Sequence, residues 1–365
     1  MTFPSPIQEL LEHYALDFDN ENKQVTREGA ATGTFQPKVL TEFLPWGDDG
    51  CFVLATTGIV ELEYAAIQKT TGLFDAPCRG TVELIGEDRL EFVGRLTTQK
   101  VSEMKAGDVK VAFVTSRKGT IVADVVIRVF EERILLDVDV TTVEQLITHL
   151  NSYIVMEDVS VKNLTSSVHW FWCVGPKANN LKCDLAEIHK LPRALLGLIG
   201  VAIMVSTDQV REVWESLIGY GCKPIGWFAL NMARVEQGAP LFMIDFDTSN
   251  LPHETNLLRS RVSFDKGCYL GQEVIARMES LGQPKQKIMR LVMQSDSLPI
   301  AGTQLWKDTS ASGTPTGIVT SSSISPLAGS IPVAIGMLSK KCDEVGSSMY
   351  LYVGTDILEA KVEEL

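Results

Sequence analysis

The pattern beyond Ile288 leaves room for strands only. Five short runs, Ile288–Met293, Thr303–Leu305, Thr316–Thr320, Val333–Leu338 and Met349–Val353, are separated by clusters of Gly, Ser and Pro. None is long enough for an amphipathic helix, and turn-forming residues bound each one. The spacing predicts an all-β tail over 286–365, a small barrel or sandwich whose strand edges are closed or covered. Ser321–Ser325 reads as a polar turn cluster within it, and 280–287 (SLGQPKQK) as the linker leading in.

Upstream, strands and helices intermingle. Residues 1–45 read as an amphipathic lead-in helix and a polar, Gly- and Thr-rich connector. From Gly50 the order is strand, helix, strand, ending at Gly72-Leu73-Phe74-Asp75. Gly80–Gly86 alternates like a strand, while Leu90, Phe92, Val93 and Leu96 fall on one helical stripe. Val109–Thr115 and Thr120–Phe130 flank the turn Ser116-Arg117-Lys118-Gly119, and Ile134–Val140 returns. A helix over Thr142–Tyr153 and strands at Val159–Val161 and Val168–Val174 follow. Ile225–Gln237 reads as a helix with Gly238 just past its end and Pro240 beyond. The expected class is α+β. Its parts are an N-terminal extension over 1–45, two mixed sheet-and-helix subdomains within 46–285, and the β tail. The subdomain boundary falls near 156, and the chain returns after about 225.

Composition narrows function. A net charge of -13 over 365 residues argues against direct nucleic-acid binding and against a membrane-surface role. The longest apolar stretch, Leu191–Met204, is broken by Pro192 and Arg193 and suits a buried core segment. The N-terminus is acidic and has neither signal-peptide nor transit-peptide character, so the expected home is the cytoplasm. Seven cysteines without a CxxC and five scattered histidines without an HExxH point away from a disulfide framework and a metal site.

Four features stand out against this ordinary background. The run Lys266-Gly267-Cys268-Tyr269-Leu270-Gly271-Gln272-Glu273 combines a cation, two glycines, a thiol, a phenol and an amide–carboxylate pair. Its thiol is either a reactive group, favoured by Lys266 and by the helix starting near Gln272, or a buried cysteine in a tight turn. Asp124 interrupts the apolar strand Ile121–Ile127, where a carboxylate needs a partner. Glu236 sits in the last turn of its helix, where negative charge opposes the helix dipole. Between Arg259 and Arg290 seven basic side chains face three acidic ones, a local balance of +4 in an acidic chain. That contrast suits a ligand carrying carboxylates.

The octapeptide resembles the signature of the YgfZ-type folate-binding proteins, which belong to the superfamily of the glycine-cleavage T-protein. Other stretches are similar to that superfamily in the same order: Gly72–Asp75 with Gly80–Leu84 and Arg95–Thr98, Gly119–Asp124, Gly175–Ala178, Arg234–Gly238 and Gly317–Ser321. The resemblance spans about residues 50–365. It implies a ring of two mixed subdomains and a C-terminal β-barrel around a central folate channel. It also implies tetrahydrofolate, or a one-carbon derivative, as cofactor. Glu236 then accepts from the pterin edge, and Asp124 acts beside the folate nitrogens; the first aspartate of the family's pair is Ala123 here. The Cys268 loop, with Lys266 and Tyr269, lines the channel. Arg259, Arg261 and Arg277 are sources of charge for the glutamate tail. Members with the cysteine motif support maturation or repair of iron–sulfur enzymes and influence tRNA-thiolation enzymes, which makes such enzymes the expected clients. The alternatives are a folate-dependent aminomethyltransferase and a non-catalytic folate-binding scaffold.

Overall fold

The computed structural model describes residues 5–12, 42–47, 50–181 and 187–365, with side chains undescribed over 187–194. Most of the expected lead-in helix and connector lies outside these residues. Residues 8–12 are helical, and Ile7 and Leu11 are buried in an apolar cluster with Leu54, Phe171 and Trp214. The chain is mixed α/β and divides into two units. One holds the described residues up to Arg79 together with Thr165–Ala233, the other Gly80–Leu164 together with Arg234–Leu365. Among the described residues no helix is long and apolar enough to cross a membrane.

The first unit is built on a five-stranded sheet in the order Glu187–Leu195, Leu198–Ser206, Val168–Val174, Gly72–Asp75, Lys223–Pro224. The stretch expected as one core segment, Leu191–Met204, is instead part of a hairpin. Leu196 and Gly197, with φ of 57° and 76°, turn the chain between its strands, and Val201–Val205 are buried. Glu63, on the helix Val60–Lys69, is a polar anchor of the unit and is only 3% exposed. Its Oε1 accepts from the Thr56 hydroxyl, the Thr57 hydroxyl and the Thr57 amide at 2.7, 2.8 and 2.7 Å. Its Oε2 accepts from the Gly226 amide at 2.6 Å. A buried carboxylate so used holds the backbone at the point where the helix Trp227–Glu236 begins.

The second unit contains a five-stranded sheet, in the order Val109–Thr115, Ile121–Val129, Arg133–Asp139, Arg79–Ile85, Ser160–Asn163, and a closed six-stranded barrel. The helices Arg89–Leu96 and Val143–Asn151 cover the sheet with the apolar stripes their spacing predicts, burying Phe92, Val93, Leu96, Leu146 and Leu150. A second cluster joins sheet to barrel through Phe113, Ile121, Phe246, Tyr269, Ile275, Ile288 and Ile335.

The barrel differs from the sequence expectation in two places. Ser321–Ser325 is no turn: it is the second half of the long strand Gly317–Ser325. Ser321, Ser323 and Ser325 are buried at alternate positions on the barrel's packed outer face, and buried carboxylates take up the hydroxyls of the first and last, so a polar run serves as a strand. The strand Asp356–Glu363 closes the barrel against Gln286–Met293, although its outward positions are charged and carry little apolar signal.

Candidate functional site

Arg234 and Glu236, from one family-like stretch, and Thr320 and Ser321, from another, meet in the second unit. The Arg234 guanidinium donates to Asp245 Oδ2 at 2.7 Å, to the Ser321 hydroxyl at 2.6 Å and to the Ala239 carbonyl at 3.0 Å. Asp245 Oδ1 accepts from Thr320 and Ser321 hydroxyls at 2.7 and 2.6 Å. Adjacent strand residues point to opposite faces. These two reach one carboxylate oxygen because the strand register shifts between Val319 and Ser321, a bulge that re-aims side chains. The network clamps the end of the helix Trp227–Glu236 to the barrel. Two residues on from Arg234, Glu236 is 6% exposed, and its Oε1 accepts from the Ser325 hydroxyl at 2.5 Å and the Leu327 amide at 3.1 Å. Its carboxylate is thereby fixed on the barrel rim strand. Asp245, which organises the cluster, had no signal in the sequence.

Asp124 occupies the strand Ile121–Val129 opposite Phe113. Ala123, where the family pattern has its first aspartate, lies in the sheet's apolar core, so alternation turns Asp124 to the other face. There Arg261 grips it side-on, Nε to Oδ1 at 2.8 Å and a terminal nitrogen to Oδ2 at 3.3 Å, with both side chains about one-sixth exposed. The ion pair is what a carboxylate in an apolar strand requires. It also gives Arg261 a partner inside the chain. Any ligand amine reaching Asp124 shares its oxygens with a guanidinium.

The octapeptide is a loop pinned at both ends. Lys266 Nζ donates to the carbonyls of Gly94, Thr97 and Gln99 at 2.5, 2.6 and 2.9 Å, closing off the carbonyl end of the helix Arg89–Leu96. All three ammonium donors are thus engaged, and the charge also stands 4.9 Å from the Tyr269 ring centre. Burial, and then the nearby Lys110 charge, pushes the Lys266 ammonium down to about 8. At the far end the Leu270 amide donates to the Arg95 carbonyl, and Thr115 donates to the Leu270 carbonyl at 2.6 Å. Gly271 has φ of 81°, and a Cβ there would stand 2.4 Å from the Ser116 carbonyl oxygen; only glycine fits. Tyr269 is buried in the apolar cluster, which pushes its phenol up to about 12.

Between the pins, Gly267 and Cys268 face solvent. Cys268 is exposed, whereas Cys51, Cys78, Cys173, Cys222 and Cys342 are buried. With Lys266, Arg95, Glu91 and Lys100 it lines a cleft of about 260 Å³. Glu236 and Asp124 do not line this cleft. Arg277 is exposed on the helix Gln272–Leu281. Of the residues expected to hold a ligand, Lys266 and Tyr269 therefore position the loop, and Glu236 and Asp124 present carboxylates elsewhere in the same unit. Among the described residues no group of three or more His, Cys, Asp or Glu side chains could hold a metal ion.

Residues 37–191 match the GCVT N-terminal domain family. A putative chloroplastic transferase of Arabidopsis thaliana is 28% identical over 310 residues, covering 76% of this chain and 67% of the relative. An aminomethyltransferase of Chloroherpeton thalassium is 23% identical over 326 residues, covering 82% and 88%. The crystal structure of glycine cleavage system aminomethyltransferase T from Bartonella henselae shares the fold, with a TM-score of 0.79 over 90% of this chain and 94% of that one at 20% identity. The solved structure shows the fold that this chain shares, and the family match covers its N-terminal part.

Proposed function

We propose that the protein binds tetrahydrofolate or a one-carbon derivative and acts as an aminomethyltransferase-like transferase. The observation that carries this reading is the aminomethyltransferase fold over 90% of the chain. Fold alone does not assign chemistry, so the donor set matters. A pterin edge presents adjacent N–H donors, and a carboxylate fixed by other hydrogen bonds is the group to receive them. Glu236, buried and held by Ser325 and Leu327, suits that role. Bound tetrahydrofolate supplies the nitrogens that take up a one-carbon unit. Asp124 would be the residue to hold or yield a proton there, with Arg261 keeping the carboxylate oriented. Isothermal calorimetry with tetrahydrofolate tests the reading: saturable binding that Glu236→Ala weakens about tenfold or more, with melting otherwise retained, is the expected result. Absence of binding to the native chain would sink it.

A second reading, maintenance of iron–sulfur enzymes or tRNA-modifying enzymes as clients, is favoured by one observation. Cys268 is exposed on a rigidly pinned loop, which is how a thiol is kept for reaction and not for packing. A glycine-cleavage assay with the lipoyl carrier protein separates the two. Turnover that survives Cys268→Ala supports the transferase, and its absence from the native chain, with client activity in cells lost in Cys268→Ala, supports the client role. Client activity that withstands loss of folate binding in Glu236→Ala points to a scaffold.

A further inference from the structure

We infer that a cavity beside His253 is a second binding site, for a small molecule that couples one carboxylate or phosphate group to an apolar or aromatic body. The cavity is an open cleft of about 780 Å³ within the second unit, a volume typical of small-molecule sites. His253 lines it from the turn Pro252–Glu254, which is locked in place. Glu254 Oε2 accepts from the Asn250 side chain at 2.8 Å and the Leu251 amide at 3.2 Å, and Thr255 donates to the Pro252 carbonyl at 2.8 Å. The imidazole is 9% exposed, yet neither ring nitrogen has a hydrogen-bond partner. Nε2 stands 3.5 Å from Glu279 Oε2, too far for a good bond. Burial pushes the imidazole pKa down, with the Glu279 contact and Glu254 partly opposing, and Nδ1 faces no partner at all. Folded proteins rarely leave such groups without a ligand or water to complete them.

The walls say what would complete it. Arg259 and Lys287 line the cavity and make no hydrogen bond or ion pair among the described residues, while the third cation, Lys340, is paired with Asp343 at 3.4 Å. Three acidic side chains, Glu279 beside His253, Asp265 and Asp343, also line it and equal the three cations in number, which disfavours a polyanion and favours a single oxyanion group. Phe264, 45% exposed, and Met278 supply apolar surface for the rest of the ligand. Asp265 also lines the Cys268 cleft, and Gln99, whose carbonyl holds Lys266, lines this cavity. The site thus adjoins the octapeptide. The inference does not depend on folate binding.

The test uses the full chain labelled at histidine, titrated with phenyl phosphate, with benzoate, and with benzyl alcohol as a neutral counterpart, and read by imidazole NMR signals and calorimetry. The expected result is a saturable shift of the signal lost in His253→Gln, produced by phenyl phosphate or benzoate but not by the alcohol. The stronger of the two identifies the oxyanion. Combined Arg259→Ala and Lys287→Ala substitutions weaken it about tenfold or more. No saturable response to either anion, or a response undiminished in the double variant, overturns the proposal. If His253→Gln fails to fold, calorimetry on the double variant decides alone.

Discussion

Arg234 and Asp245 form an ion pair at 2.7 Å with both side chains at 0% exposure, the charged centre of the clamp between the helix Trp227–Glu236 and the barrel. Removing one partner leaves an uncompensated buried charge. Arg234→Met is expected to cost about 3–5 kcal/mol. The double variant Arg234→Met/Asp245→Leu is expected to cost less than the sum of the two single changes, because it leaves neither charge behind. Urea unfolding of the three variants checks both statements.

Two glycines of one loop are predicted to behave oppositely. Gly271→Ala places a Cβ 2.4 Å from a backbone oxygen at a φ of 81°. The left-handed conformation alone costs about 1–2 kcal/mol, with the clash added. Gly267 has open space where its Cβ would be, so Gly267→Ala is expected to stay within about 0.5 kcal/mol of the native protein. Thermal melting distinguishes the two. A loss of activity in Gly267→Ala at native stability would mark a close approach by a ligand or partner.

Lys266 makes stability depend on alkaline pH. Its folded-state value is about 8, against 10.5 for an unperturbed lysine. Between those values the unfolded chain binds the extra proton, so this group's contribution to stability rises with pH across that window and is level on either side. Lys266→Met is expected to be less stable, since three carbonyls lose their donor, and to lack this rise. Unfolding free energies of both proteins measured at pH 7 through 10.5 give the difference.

Among the described cysteines, Cys268 is expected to react first with a thiol reagent under native conditions, the buried five following only on unfolding. Cys268→Ser removes the fast phase and shifts stability by no more than about 0.5 kcal/mol. Counting modified thiols against time in native and denatured protein checks this.

Much of the architecture was legible because periodicity reports burial. The stripe Leu90, Phe92, Val93, Leu96 and the alternating strands of the barrel were visible as spacing. Ser321–Ser325 and Asp356–Glu363 were not. Their buried serines and outward charges look like turns or surface until the carboxylates and the closing strand that receive them are known. The candidate residues were likewise visible as departures from local rules. An aspartate in an apolar strand and a glutamate at a helix C-terminus each demand a partner, but the rule does not name it.

The chain's own order of residues determined that Asp124, Glu236 and Cys268 would be unusual, since each violates a preference set by its immediate neighbours. Only the tertiary structure decided what each does about it. Arg261 lies 137 positions from Asp124, Ser325 lies 89 from Glu236, and the carbonyls that bind Lys266 lie 167 to 172 away. Hydrogen bonds act over about 3 Å and carry no signature along the chain, so the pairing exists only once the sheet and the barrel have brought those segments together.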